Sequence, residues 1–100
     1  MDYINKVRAL ADENKIKMTL DGARSWNASI FLGIPMKEMV KPFDLVSVCF
    51  SKGMGCPVGS FVVGSQSDIE KAINYRKTLG GGMRQIGVAA VCGIIALEDW

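Results

Sequence analysis

Histidine is absent from the whole sequence. That absence excludes any Ser–His or Cys–His nucleophile pair built from this chain alone. It also removes the commonest zinc ligand, and Cys49, Cys56 and Cys92 show no C-x-x-C spacing to replace it. An odd number of thiols among apolar or small neighbours reads as buried, reduced cysteine, and a reducing, cytoplasmic setting follows. Charge of one sign is lacking too. Twelve basic and ten acidic residues leave +2, too even a balance to argue for a nucleic-acid or anionic-membrane surface. No apolar run approaches the roughly 18 residues of a membrane span. The opening MDYINKVRALADENK lacks the hydrophobic stretch of a secretory signal. Internal repeats, low-complexity tracts and linkers are missing as well.

What is there is apolar and structured. Hydrophobic residues make up 49% of 100 residues, enough for one folded unit and too short for two. Residues 3–14 carry Ile4, Val7, Leu10 and Ala11 on one helical face. Residues 16–20 alternate as a short strand, ending at Asp21-Gly22. Residues 26–33 read as a short helix stopped by Gly33 and Pro35, with a further turn to Val40. Residues 44–50, DLVSVCF, and 60–64, SFVVG, read as strands. A helix over 68–79 takes Ser65 or Ser67 as its cap. Gly80-Gly81-Gly82 breaks the chain before a last helix over 83–97 that is apolar nearly all round. This order is α/β. Three strands make a thin sheet, and so apolar a last helix wants partners on several sides. The expectation is a piece of a larger domain, which begins at a helix and stops at Trp100 just after one.

Ligands of open α/β sheets bind at the carboxyl ends of the strands. One strand here runs into Asp21-Gly22-Ala23-Arg24, another into Ser51-Lys52. If the two are parallel neighbours, one pocket receives a carboxylate, a guanidinium, a hydroxyl and an amine. That set suits pyridoxal phosphate. A lysine amine forms a Schiff base with its aldehyde, and an aspartate keeps its pyridine nitrogen protonated. The glycines of FSKGMGCPVG let the backbone approach a flat ring. GGGMRQ, residues 80–85, leads glycines into a helix N-terminus with Lys77 and Arg84 nearby, an anion site for the phosphate.

LDGARSWNA, SVCFSKGMGCPVGS and RKTLGGGMRQ together resemble the low-specificity L-threonine aldolase family, fold-type I pyridoxal phosphate enzymes of the aspartate aminotransferase superfamily. The three motifs occur in order and span essentially the whole chain, which matches the middle part of a typical member. The resemblance implies an α/β unit, a fragment of the large cofactor-binding domain, with a short, mostly parallel sheet flanked by helices. The upstream part and the small C-terminal domain would lie outside residues 1–100. It makes Lys52 the Schiff-base lysine, Asp21 the pyridine-nitrogen partner and Arg24 the neighbour of the ring oxygen and the substrate carboxylate. Lys77 and Arg84 would reach the phosphate region of a neighbouring subunit in a homo-oligomer, a dimer or tetramer. The implied reaction cleaves a β-hydroxy-α-amino acid, L-threonine or L-allo-threonine, to glycine and acetaldehyde. Where the family usually has a histidine two positions before the motif aspartate, this chain has Thr19.

Plainer readings stand beside these. Lys52 alone is a solvated loop lysine, and Asp21 a turn residue, because Asp-Gly marks turns. Arg24 could form a surface salt bridge. Lys77 and Arg84 could serve a helix dipole. Ser51 binds phosphate or caps the turn. GMGCPVG lacks the third glycine of a dinucleotide fingerprint and precedes a strand, so that reading is rejected. The methionines, Trp26 and Trp100 read as packing residues. Two functional alternatives remain: a non-catalytic truncated product, and another pyridoxal phosphate enzyme of the superfamily, such as a β-eliminating lyase or an aminotransferase.

Overall fold

A computed structural model describes residues 1–99; Trp100, read as a packing residue, lies outside them. The elements run α1 (Asp2–Glu13), β1 (Thr19–Gly22), α2 (Ser25–Leu32), α3 (Met36–Val40), β2 (Leu45–Cys49), β3 (Ser60–Gly64), α4 (Gln66–Thr78) and α5 (Gly87–Glu98). The α/β class expected from the sequence is borne out.

The sheet has the order β1-β2-β3. β1 and β2 are parallel, joined by the crossover through α2 and α3. β2 and β3 are antiparallel. The sheet is therefore mixed, with one pairing of each kind, where a mostly parallel one was expected. The reason lies in the connection. A parallel pair needs a long crossover, usually a helix. Residues 50–59 are a glycine-rich loop without one, closed by the Phe50 amide donating to the Gly59 carbonyl at 2.9 Å.

The core forms on one face of this sheet. Val46 and Val48, alternate residues of β2, are buried against Trp26 of α2. Leu20, Met36, Val40, Phe43, Met54 and Phe61 pack around them. Gly33 ends α2 in the left-handed region at φ 63°, as the Gly-x-Pro signal predicts. Ser65 caps α4, its hydroxyl accepting from the Asp68 amide at 3.2 Å, so the helix starts earlier than residue 68. α5 begins at Gly87 rather than 83 and presses Gly93 onto the Phe50 ring. Val88, Val91, Ile94 and Ile95 on α5 and Ile30 and Phe31 on α2 are exposed.

Two expectations shift with the packing. β1 starts at Thr19, and Ile16 is exposed. Pairing begins there because Asp44 holds the residue before it: Asp44 Oδ2 accepts from the Met18 amide at 2.8 Å, and the Asp44 amide donates to the Met18 carbonyl at 2.9 Å. On α1, Leu10 is exposed while Ala11 is buried. The inward stripe runs Ile4, Val7, Arg8, Ala11. Arg8 takes a core-side position because its guanidinium donates to Asp44 at 2.7 Å, to the Ile16 carbonyl at 3.2 Å and to Asp12. This cluster ties α1 to the entrance of both β1 and β2.

That cluster should make the fold acid-sensitive. The Met18 amide, then Arg8, hold the Asp44 carboxyl below its ordinary range. Lys17, then the Ser65 hydroxyl, do the same for Asp68. A depressed carboxyl stabilises the fold above its unfolded pKa of about 3.9, and the contribution is lost as pH falls through the folded value. Thermal midpoints followed by circular dichroism should stay level from about pH 7 to 5 and drop below about pH 4. Asp44→Ala should lower the neutral-pH midpoint by about 5 °C and flatten the acid fall. A variant with an unchanged acid limb would show that Asp44 does not organise the strand entrance.

Candidate active site

The chemistry-bearing residues gather where β1 and β2 end. The two strands are parallel in the register Thr19↔Leu45, Asp21↔Ser47, Gly22↔Val48. Side chains alternate along a strand, and paired residues of neighbouring strands share a face. Val46 and Val48 fill the Trp26 face. Ser47, Cys49 and Asp21 therefore stand on the other face, where Ser47 and Cys49 are half-buried and Asp21 is exposed.

Lys52 lies in the turn directly after β2. The Gly55 amide donates to the Lys52 carbonyl at 3.0 Å, and the Cys56 amide to the Phe50 carbonyl at 3.1 Å. Gly55 sits at φ 71°, which favours glycine. The turn is seated on the start of α2. A Cβ on Gly53 would fall 2.6 Å from Asn27 Oδ1 and 3.3 Å from Trp26 Cβ, so a larger residue there would have to push the Asn27 side chain aside. The Lys52 side chain folds back over the strand end, its Nζ donating to Cys49 Sγ at 3.3 Å. The amine thereby rests over the face that carries Cys49, Ser47 and Asp21.

Asp21 makes the turn expected of Asp-Gly, its Oδ1 accepting from the Ala23 amide at 3.2 Å. That leaves Oδ2 with no hydrogen bond among the described residues. Ser25 Oγ donates to the Gly22 carbonyl at 2.7 Å and locks the step from β1 into α2. Arg24, just ahead of α2, is exposed. Asp21 and Arg24 also border an apolar cleft of about 350 Å³ along β1, lined by Ile4, Leu20, Leu32 and Phe43. Ser51 is exposed in the Lys52 turn.

The remaining two predicted residues are not drawn into this group. Lys77 is in the last turn of α4 and Arg84 in the segment before α5, both exposed. Neither side chain makes a hydrogen bond or ion pair among the described residues. The topology still brings Lys77 toward the same end of the sheet. Lys17, ahead of β1, pairs with Asp68 at the start of α4, whereas Arg76 borders a cleft with Ser60, the residue opposite Cys49. α4 therefore returns from the amino end of β2 to its carboxyl end.

The cysteines differ from expectation. All three are free thiols, but only Cys56 is buried; Cys49 and Cys92 are half-exposed. Cys49 belongs to the open face because the alternation that buries Val46 and Val48 turns it outward. Ser47 and Cys49 were both overlooked as members of the group. The period-two pattern of LVSVC, placed in register with LDG, was the signal that could have found them.

The donor set fits pyridoxal phosphate at its reactive end. An amine suited to its aldehyde and a carboxylate suited to its ring nitrogen share one open face beside a glycine turn. The fold and this set define a class: part of an α/β domain that bears an exposed lysine amine at the carboxyl end of its parallel strands. The chain belongs to the beta-eliminating lyase family, whose profile matches residues 1–100. Threonine aldolases and beta-eliminating lyases are in general pyridoxal phosphate-dependent. The chain is 54% identical over 99 residues to the low-specificity L-threonine aldolase 1 of Arabidopsis thaliana, covering 99% of this chain and 28% of that protein. It is 41% identical over 98 residues to the low-specificity L-threonine aldolase of Escherichia coli K12, covering 98% and 29%. A solved structure from Listeria monocytogenes, assigned as an L-allo-threonine aldolase, matches with TM-score 0.87 at 26% identity, over 96% of this chain and 27% of that one. The resemblance read from the three motifs is thus borne out. The chain spans little more than a quarter of the curated relatives it matches.

Proposed function

We propose that this chain carries the lysine-bearing part of the large domain of a pyridoxal phosphate-dependent carbon–carbon lyase, which cleaves a β-hydroxy-α-amino acid such as L-threonine or L-allo-threonine to glycine and an aldehyde. One observation carries the reading: the Lys52 amine and the Asp21 carboxylate occupy the same face at the carboxyl ends of parallel neighbours. The ordered motifs and the names of the relatives support it.

When bound, the cofactor supplies an electron sink for the charge left at Cα as the Cα–Cβ bond breaks. The chain's own residues have distinct tasks. Lys52 holds the cofactor by its amine and is the group placed to move a proton there. Asp21 keeps a proton at the pyridine nitrogen with its unengaged oxygen. Arg24 binds the substrate carboxylate. Ser51 holds the phosphate, with Lys77 and Arg84 serving the phosphate region of a neighbouring copy in a cytoplasmic homo-oligomer. A segment upstream and a small C-terminal domain, both outside residues 1–100, complete the pocket.

The test is borohydride reduction of the chain with pyridoxal phosphate, followed by peptide mass mapping. The sequence has eight lysines, so seven act as internal controls. Label should concentrate on Lys52 and vanish from that peptide in Lys52→Ala. Label spread evenly over the lysines would overturn cofactor binding by this chain and favour the non-catalytic reading, which the bare apolar faces of α2 and α5 also suit. In an active form, glycine plus aldehyde supports the aldolase, whereas a keto acid with ammonia assigns β-elimination.

A further inference from the structure

We infer that Cys49 is a positioning residue for Lys52, a thiol that parks the reactive amine over the open face; this rests on the cofactor reading above. A lysine side chain has four rotatable carbons and a strongly hydrated head, and at an exposed site it samples solvent in many rotamers. Lys52 is exposed, with no carboxylate bonded to its amine among the described residues. Its amine makes one side-chain hydrogen bond, to Cys49 Sγ at 3.3 Å. Only Phe50 and Ser51 separate the two, leading from the strand into the turn seated on α2 through Gly53. The acceptor is therefore fixed by the last residue of a strand and the donor by a docked turn. Only the lysine stem is free to swing.

The position of Cys49 gives the bond its direction. It occupies the face shared with Ser47 and Asp21, away from the Trp26 core. An amine bonded to a core-side residue would point away from Asp21. A thiol also suits this task better than a carboxylate. It is a weak acceptor, so the amine is oriented yet readily released to another partner. A salt bridge would hold the charged amine more tightly and oppose its attack on an aldehyde.

The experiment uses the whole chain and reads the rate of reductive labelling by pyridoxal phosphate at each lysine. Cys49→Ala should lower the Lys52 rate about fivefold, the size of one modest hydrogen bond, with the other seven lysines unchanged. Cys49→Ser, which keeps an acceptor, should restore most of it. A purely structural role would instead alter the circular dichroism and raise labelling at many lysines. Should Cys49→Ala unfold, Cys49→Val fills the site without the acceptor and makes the same comparison. Equal Lys52 rates in wild type, Cys49→Ala and Cys49→Val would overturn the inference while leaving Lys52 as the preferred label. Loss of that preference in the wild type itself would overturn the cofactor reading, and the inference with it.

Discussion

Lys52→Ala should cost the assembled enzyme about four orders of magnitude or more in turnover. The measurement needs the parts that lie outside this chain. A chimera in which residues 1–100 replace the matched segment of the Arabidopsis relative supplies them. The size of the effect follows from the kind of contact. In the proposed role Asp21 acts by charge across space, so Asp21→Ala should cost about two to three orders of magnitude. If Arg24 binds the substrate carboxylate as proposed, it does so in the ground state as well as later, so Arg24→Ala should act mainly on KM. Lys52 alone offers a nucleophilic amine on this face, and no other side chain described there can substitute for it. Added methylamine should return part of the lost rate to Lys52→Ala and none to Asp21→Ala, because only the first lacks an amine. Residual turnover above a tenth of the parent in Lys52→Ala would sink the assignment of Lys52.

Much of this arrangement was legible because it depends on local signals. DLVSVCF is β-branched and apolar, and it became β2. Gly33 stopped α2 because a left-handed residue was needed there. The motif residues at the two strand ends were visible because parallel neighbours deliver both to one edge. What stayed hidden was set by contacts distant in sequence. The alternation of Ile16, Met18 and Leu20 suggested an earlier strand, but a strand needs a partner, and Asp44 supplies one only from Met18 onward. Leu10 looked like a core residue until the carboxylate of Asp44 drew Arg8 inward. Cys49 looked buried because its neighbours are apolar. Its outward direction appears only when the strand is phased against Trp26. The fit between Lys52 and Cys49 is of this kind too, since it depends on a turn docked on a helix that begins 27 residues before it.

The second large effect concerns the contact that keeps Asp21 and Lys52 on one face. Gly22→Ala should destabilise the chain by about 2–4 kcal/mol. A Cβ built on Gly22 lies 2.5 Å from the Ser47 carbonyl oxygen, 3.2 Å from Ser25 Oγ and 3.3 Å from Val46 Cγ1. The nearest of these is backbone and cannot rotate away. Relief requires β1 to move off β2, which breaks the ladder at Gly22↔Val48 and strains the Ser25 bond that starts α2. For about 100 residues, whose total stability is of order 5–15 kcal/mol, such a loss is a large share. Gly87→Ala is the matched control. It makes the same chemical change in the first turn of α5, where a Cβ meets nothing within 4 Å. There the methyl restricts the unfolded chain and favours helix, so stability should rise by about 0.5–1 kcal/mol. Urea unfolding followed by circular dichroism reads both. Opposite signs would tie the loss to the β1–β2 approach rather than to adding a methyl group. If Gly22→Ala stays within about 0.5 kcal/mol of the parent, the strands are not as close as described. The same displacement carries Asp21 away from Lys52, so Gly22→Ala should also erase the preference for labelling Lys52. Stability and site chemistry would then fail together, because both rest on the spacing of β1 and β2.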